Sequence, residues 1–243
     1  NIPLVGFFDL LCVLASGHAC RVKPSNKDTV LIGYVVDLLR TIDPAIPLRM
    51  AEQGERLDAV IATGSDNANR YFRMLFGGIP SLLRGSRQSV AVLSGRETAA
   101  ELSGLEEDIF AYSGLGCRNV SLLFLPRGYM PELRCTALNE KYRRNYLRER
   151  ALLRMCRMPF VDLDGAVLCE DRSFPAALSR IHYTFYDSLA DVEAWLAAHD
   201  DRLQCVVSQC VRHSRRVAFG RAQHPGLTDY ADDVDTMRFL GTI

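Results

Sequence analysis

Residues 113–125 read S-G-L-G-C-R-N-V-S-L-L-F-L. From Asn119 onward the stretch leaves a glycine turn as an apolar strand. Upstream, Glu97 to Tyr112 has the spacing of an amphipathic helix. Helix, glycine turn and strand in this order form part of an α/β unit. The turn needs Gly114 and Gly116, but it has no need of the thiol of Cys117.

The same alternation extends outward. S-V-A-V-L from Ser89 and L-D-A-V-I-A-T over 57–63 read as buried parallel strands. The second ends at Gly64-Ser65, and a helix follows to about Leu75. The apolar stretch 2–16 reads as a buried helix closed by Ser16-Gly17, followed by a short strand A-C-R-V-K-P. A helix over Lys27–Thr41 then takes Ser25 or Asn26 as its N-cap. Further on come a long Arg-rich helix over 137–158 and a hairpin at Asp164-Gly165. Strand 181–186, helix 188–199 and strand 203–208 complete another βαβ unit, so the fold class is α/β.

Of the 243 residues, 29 are Lys or Arg and 29 are Asp or Glu, a balance that argues against a nucleic-acid partner. The eight cysteines include no CxxC pair and no zinc spacing. A chain of this size needs no disulfide staples, and the thiols fit a reducing cytoplasm. The first 17 residues lack the basic start of a signal peptide. Asp9 interrupts them, and they fall short of the roughly 20 apolar residues of a membrane span, so no integral membrane segment is expected. The abrupt start at Asn1 suggests a fragment that lacks N-terminal sequence.

Cys117 has two readings. Glycines that leave backbone N–H groups open, with Arg118 adding positive charge, suit a thiolate that attacks a carbonyl. The alternative is a helix C-cap followed by a small buried residue. Gly64-Ser65 could hold a phosphate at a helix start, although the full GxGxxG pattern is missing. Lys23-Pro24-Ser25 follows a strand and could place an ammonium group against a ribose or phosphate. The arginines of 137–158 form a solvated face, or a face for an anionic substrate such as coenzyme A. The five histidines show no ligand spacing, and no metal site is expected.

Taken in order, these segments resemble the aldehyde dehydrogenase superfamily, and in particular its acyl-CoA reductase branch. Asn1-Ile2-Pro3-Leu4 is similar to that superfamily's N-x-P motif, and Lys23-Pro24-Ser25 to its K-P-S. Gly64-Ser65 is similar to its G-S turn, S-V-A-V-L-S-G to the strand that follows, and G-L-G-C-R-N-V-S to its catalytic cysteine segment. F-Y-D-S-L-A-D-V-E-A-W-L and the ending Asp229-Tyr230-Ala231-Asp232 through Phe239-Leu240 resemble late parts of the branch.

The resemblance implies a Rossmann-type cofactor domain plus an α/β catalytic domain, N-terminally truncated. Residues 1–88 would be the remainder of an NADP-binding domain and 89–219 the thiol domain. Residues 220–243 would be a tail returning to the cofactor or oligomer face. Cys117 would carry the acyl group, with the Asn1 amide and the Cys117 N–H as oxyanion hole. Lys23 and Ser25 would contact the adenosine end of NADPH (or NADH), and Gly64 with Ser65 its pyrophosphate or nicotinamide region.

The implied reaction is reduction of a fatty acyl-CoA to an aldehyde. The alternatives are a CoA-acylating dehydrogenase on shorter acyl groups, a non-redox acyltransferase and an acyl-binding subunit. A homo-oligomer or an acyl-transferring partner enzyme is implied too. Two departures bear on this. Where hydrolytic members carry E-L-G-G, this chain has Val92-Leu93-Ser94-Gly95, so the water-activating base is expected to be absent. Where a late E-x-F-G-P would grip the ribose, it has R-I-H-Y-T-F-Y.

Overall fold

In a computed structural model, which describes residues 3–135 and 139–243, most helices begin where a side-chain oxygen accepts an otherwise unpaired backbone N–H. Ser65, Thr98, Asn139, Ser188 and Asp235 all serve in this way. Thr98 and Glu101 cap each other reciprocally.

The residues up to Ser86, joined by Val234–Ile243, form one compact unit. It opens with α1 (Phe7–Ala15). Then β1 (Cys20–Val22) pairs in parallel with β2 (Leu48–Met50) across α2 (Thr29–Ile42). In the same way β3 (Val60–Thr63) pairs with β4 (Ser81–Arg84) across α3 (Asp66–Phe76). Leu10, Cys20, Ile32, Val36 and Leu48 form the core around α1, α2 and the first sheet.

Three expectations change in this unit. The N-terminal helix is shorter than 2–16 and buries only Leu10 and Cys12, leaving Leu11 exposed. α2 starts at Thr29, because Asp28 N is held in a turn by Ser25 O at 3.0 Å and Asp28 Oδ2 accepts Leu4 N at 2.7 Å. β2 and β4, each short and preceded by a proline, have no strand signal of their own and form because a parallel partner is present. The buried guanidinium of Arg84 donates to Asp9 Oδ2 at 2.5 Å and to Thr236 Oγ1 at 2.7 Å. It thereby ties α1, β4 and the C-terminal helix Thr236–Leu240 together.

Residues Arg87–Asp233 form the second unit. Its elements are β5 (Gln88–Val92), α4 (Ala99–Phe110), β6 (Val120–Pro126), α5 (Glu140–Met155), β7 (Val161–Asp162), β8 (Val167–Glu170), β9 (Arg180–Tyr186), α6 (Leu189–Ala198), β10 (Leu203–Ser208) and β11 (Arg216–Val217). They build a seven-stranded sheet in the order β11-β10-β5-β6-β9-β8-β7. All neighbours are parallel except β7 and β8, the expected hairpin. The start expected for the Arg-rich helix, at 137, lies outside the described residues.

Side chains of β6 alternate between two cores. Leu123 and Leu125 pack with Leu105, Ile109 and Phe110 of α4, whereas Leu122 and Phe124 pack with Val192 and Leu196 of α6. Each fully buried Leu or Phe contributes roughly 1.5–3 kcal/mol, so β6 needs apolar residues on both faces. On the α4 side two backbones touch. A Cβ on Gly104 would lie 2.8 Å from Gly220 N and 2.9 Å from Phe219 C. One turn on, the fully buried Asp108 carboxylate accepts Gly220 N at 2.7 Å and Ala222 N at 2.9 Å.

Candidate functional site

The turn that carries Cys117 is shaped by unusual backbone angles. Tyr112, Ser113 and Gly114 have φ of 53°, 55° and 63°. Left-handed geometry costs an L-residue roughly 1–2 kcal/mol, so two of these three positions are strained. Asn119 holds the turn in place. Its Oδ1 accepts Gly116 N at 2.8 Å, and its Nδ2 donates to the carbonyls of Asp108, Ile109 and Ala111 at 3.2, 3.1 and 2.9 Å. Asn119 N closes the turn on Gly116 O at 3.1 Å, leaving Cys117 and Arg118 as its two central residues.

This corrects the role expected for the glycines. Gly116 N is already occupied by Asn119, so it is not an open donor for a substrate. A Cβ on Gly116 would approach Asn119 Oδ1 to 3.1 Å, and one on Gly114 would approach the Tyr142 ring to 3.2 Å. The glycines are needed for backbone angle and close packing.

Cys117 itself is exposed. Its carbonyl accepts Ser89 Oγ at 2.9 Å, and that same oxygen accepts Cys205 N at 3.1 Å. One hydroxyl therefore joins the turn to β5 and β10. Arg118 donates to Cys205 Sγ at 3.2 Å, to Ala222 O at 3.4 Å and to Asp229 O at 3.2 Å. Solvent reaches the Cys117 side chain, yet the protein packed around it displaces enough water to push the thiol above its ordinary value. Arg118 pulls the thiol down, while Cys205 and Asp232 push it further up.

The sheet's direction decides what faces this thiol. Cys117 precedes β6, beside Ser89 at the amino end of β5. Val92 pairs with Phe124 at the other end of the same parallel strands. Val92 and Leu93 are both fully buried in the core. Val92-Leu93-Ser94-Gly95 thus lies at the opposite edge from Cys117, and the residues there say nothing about a water-activating base at the thiol. The stretch R-I-H-Y-T-F-Y is β9, inside the sheet, with Ile181 and His182 buried, so it is not a ribose-binding loop.

The other candidates lie in the first unit. Lys23 and Ser25, both exposed, follow β1, and Gly64-Ser65 follows β3; each pair sits at the carboxyl end of a parallel strand. Ser65 Oγ accepts Ala68 N at 3.4 Å and starts α3. A Cβ on Gly64 would come within 2.8 Å of Ala68 Cβ and 3.1 Å of the Phe72 ring, so this glycine allows strand and helix to pack closely. The exposed start of α3 and the Lys23 ammonium fit the phosphates of a dinucleotide in chemistry. Asp66, in the first turn of α3, is an opposing charge. Asn1 lies outside the described residues.

Beside Arg118 runs an open groove of about 820 Å³, lined also by Arg221, Gln223, His224 and Asp229. A smaller pocket of about 160 Å³ lies between Glu97, Glu101, Gln209 and Cys210. Among the described residues, no three His, Cys, Asp or Glu side chains gather as metal donors, and no helix is long and apolar enough to cross a membrane. Asn119, Ser89 and Asp108 were not singled out from the sequence. The available signal was a polar residue inside or beside an otherwise apolar strand or helix face.

No protein-family model and no curated protein sequence matches the chain. Solved structures do. A protein assigned as an aldehyde dehydrogenase from Burkholderia cenocepacia matches with a TM-score of 0.68 and 15% identity, over 99% of this chain and 67% of that one. The Mycobacterium tuberculosis aldehyde dehydrogenase complexed with NAD+ matches with a TM-score of 0.63 and 15% identity, over 84% and 54%. The aldehyde dehydrogenase from Bacillus cereus, also an NAD+ complex, gives 0.63 and 13%, over 86% and 55%. The chain spans about half to two thirds of the length of these proteins. At this level of identity the likeness concerns architecture, and the architecture of this chain is the aldehyde dehydrogenase fold.

Proposed function

We propose that the chain performs redox chemistry at the aldehyde or thioester level, with Cys117 as the nucleophile that carries the acyl group. The observation that supports this is an exposed thiol, fixed in a clamped turn, in a chain with the aldehyde dehydrogenase fold. The finer reading is reduction of a long-chain fatty acyl-CoA to a fatty aldehyde with NADPH. It rests on the segments that resemble the acyl-CoA reductase branch, and the residues at Val92 no longer contribute to it.

In this reading the Cys117 sulfur attacks the thioester carbonyl, a new carbon–sulfur bond forms, and coenzyme A leaves as its thiol with the proton from Cys117. The Cys117 N–H, with the side-chain amide of Asn1, would hold the oxyanion. Bound NADPH would supply hydride to the acyl carbon, and Cys117 regains a proton as the aldehyde departs. Lys23, Ser25 and the start of α3 at Ser65 would hold the dinucleotide. Because the free thiol is raised, attack depends on Arg118 or on the bound substrate to favour the thiolate.

The test is labelling with radioactive palmitoyl-CoA, with and without Cys117→Ser, alongside the nicotinamide absorbance. Label lost in the variant, together with acyl-CoA-dependent oxidation of NADPH, is expected. Label without oxidation means a non-redox acyl carrier, and oxidation confined to short acyl-CoA means a CoA-acylating dehydrogenase. Label that survives Cys117→Ser sinks the role given to this residue.

A further inference from the structure

The outward face of α5 combines exposed apolar side chains with a cluster of arginines. Its inner face is settled: Tyr142, Tyr146, Glu149 and Leu153 are buried, and Tyr146, Leu153, Val167 and Cys169 form a cluster. Away from that cluster the helix exposes large apolar side chains. Met155 is 80% exposed, Met158 52%, Leu147 46% and Leu152 44%. Met158 follows the helix end, where Arg157 takes a left-handed φ of 54° and Met158 N bonds back to Leu153 O at 3.0 Å.

Around these tips stands positive charge. Residues 140–158 hold seven Lys or Arg against two Glu, in a chain whose total formal charge is zero. Both acids are paired, Glu149 with Arg180 at 2.6 Å and Arg148 at 3.2 Å, and Glu140 with Arg144 at 2.5 Å, which leaves an excess of five positive charges on the segment. The side chains of Arg144, Arg148 and Arg154 are 75%, 64% and 63% exposed, so water screens their pairs with Glu140, Glu149 and Asp162 and the guanidinium groups still face solvent.

We infer that this face docks the chain on an anionic lipid surface. The pattern is that of an interfacial helix, with basic side chains at the level of the phosphates and apolar tips below them. Long arginine stems let the guanidinium groups reach up while the thioethers of Met155 and Met158 enter the outer acyl region. Charge complementarity selects anionic over neutral lipid. The apolar tips select lipid over nucleic acid, which would use the arginines but gain nothing from methionine, and among the described residues of α5 both tyrosines are buried, leaving no ring for stacking bases. The inference stands apart from the role of Cys117.

The experiment is sedimentation of the whole chain with sucrose-loaded vesicles, either phosphatidylcholine alone or phosphatidylcholine with one third phosphatidylglycerol. Binding is expected only to the second kind, and added salt should weaken it. Arg144→Glu with Arg148→Glu should lower partitioning by roughly tenfold or more. Met155→Ser with Met158→Ser should also lower it by roughly tenfold, with charge unchanged. All four side chains are solvent-exposed, and unchanged urea unfolding of each variant confirms that the fold is intact. No binding to either vesicle overturns the inference, as does equal binding to both. Binding to RNA or heparin that is indifferent to the methionine substitutions overturns it in favour of a polyanionic macromolecule.

Discussion

The side-chain oxygen of Asn119 lies 2.8 Å from the amide of Gly116, and the residue between them that meets solvent most is Cys117. Asn119→Ala would remove the side-chain partner of one N–H and three carbonyls in or near the core, of which Asp108 O keeps a long bond from Gln223 Nε2 at 3.5 Å. A loss of about 2–4 kcal/mol in urea unfolding is expected. Alkylation of Cys117 at neutral pH should quicken at the same time, because the clamp on its turn is gone.

The Cys117 thiol is raised by the protein around it, with Arg118 as the opposing cation. Alkylation by iodoacetamide, followed at this residue by peptide mapping, should therefore be slow at neutral pH. It should climb only at pH values above those at which an ordinary thiol ionises. Arg118→Ala removes the group that favours the thiolate, so the profile should move to still higher pH. A profile centred below the ordinary thiol value would refute this picture.

Asp108 carries a pH signature. Burial pushes its carboxyl up to about 6, against the pull of the Gly220 and Ala222 amides. A folded value above the unfolded one means that the folded chain binds the proton more tightly. The resulting stabilisation is full below about pH 4 and is lost as the pH rises through about 6. Two units correspond to roughly 3 kcal/mol. Asp108→Asn should flatten stability between pH 4 and 7 relative to the parent, as read from urea midpoints.

Arg84 is a buried cation with a carboxylate and a hydroxyl as partners. Arg84→Ala leaves Asp9 without its counter-charge and should cost about 3–5 kcal/mol, visible as early loss of the first unit in hydrogen exchange. Arg84→Met with Asp9→Leu removes both charges and should recover much of that loss.

How much of this could be read from the sequence depends on where the information lies. The parallel strands were legible because β5, β6 and β10 are buried on both faces, which leaves a run of apolar letters. β2 and β4 were not, since three or four residues after a proline have no period to detect. Gly114 could be placed in a turn, but the clamp by Asn119 joins residues up to eleven positions apart and has no local pattern. The failure at Val92 has a geometric cause. Order along the chain identified the strand, but the end of that strand nearest the thiol depends on sheet direction.

The contact between Gly104 and Gly220 has a consequence for how variation in this chain should be interpreted. Two main chains meet there, so any other residue at position 104 would push the turn at 219–222 off the helix, whatever the chain is used for. Cys117 has no such protection, because an exposed turn position accepts serine or alanine without harm to folding. A saturation library selected for folded chains alone should freeze position 104 and let position 117 drift. The same library selected for biological activity would keep the thiol only if it is used, which makes the glycine pair an internal standard for judging the cysteine.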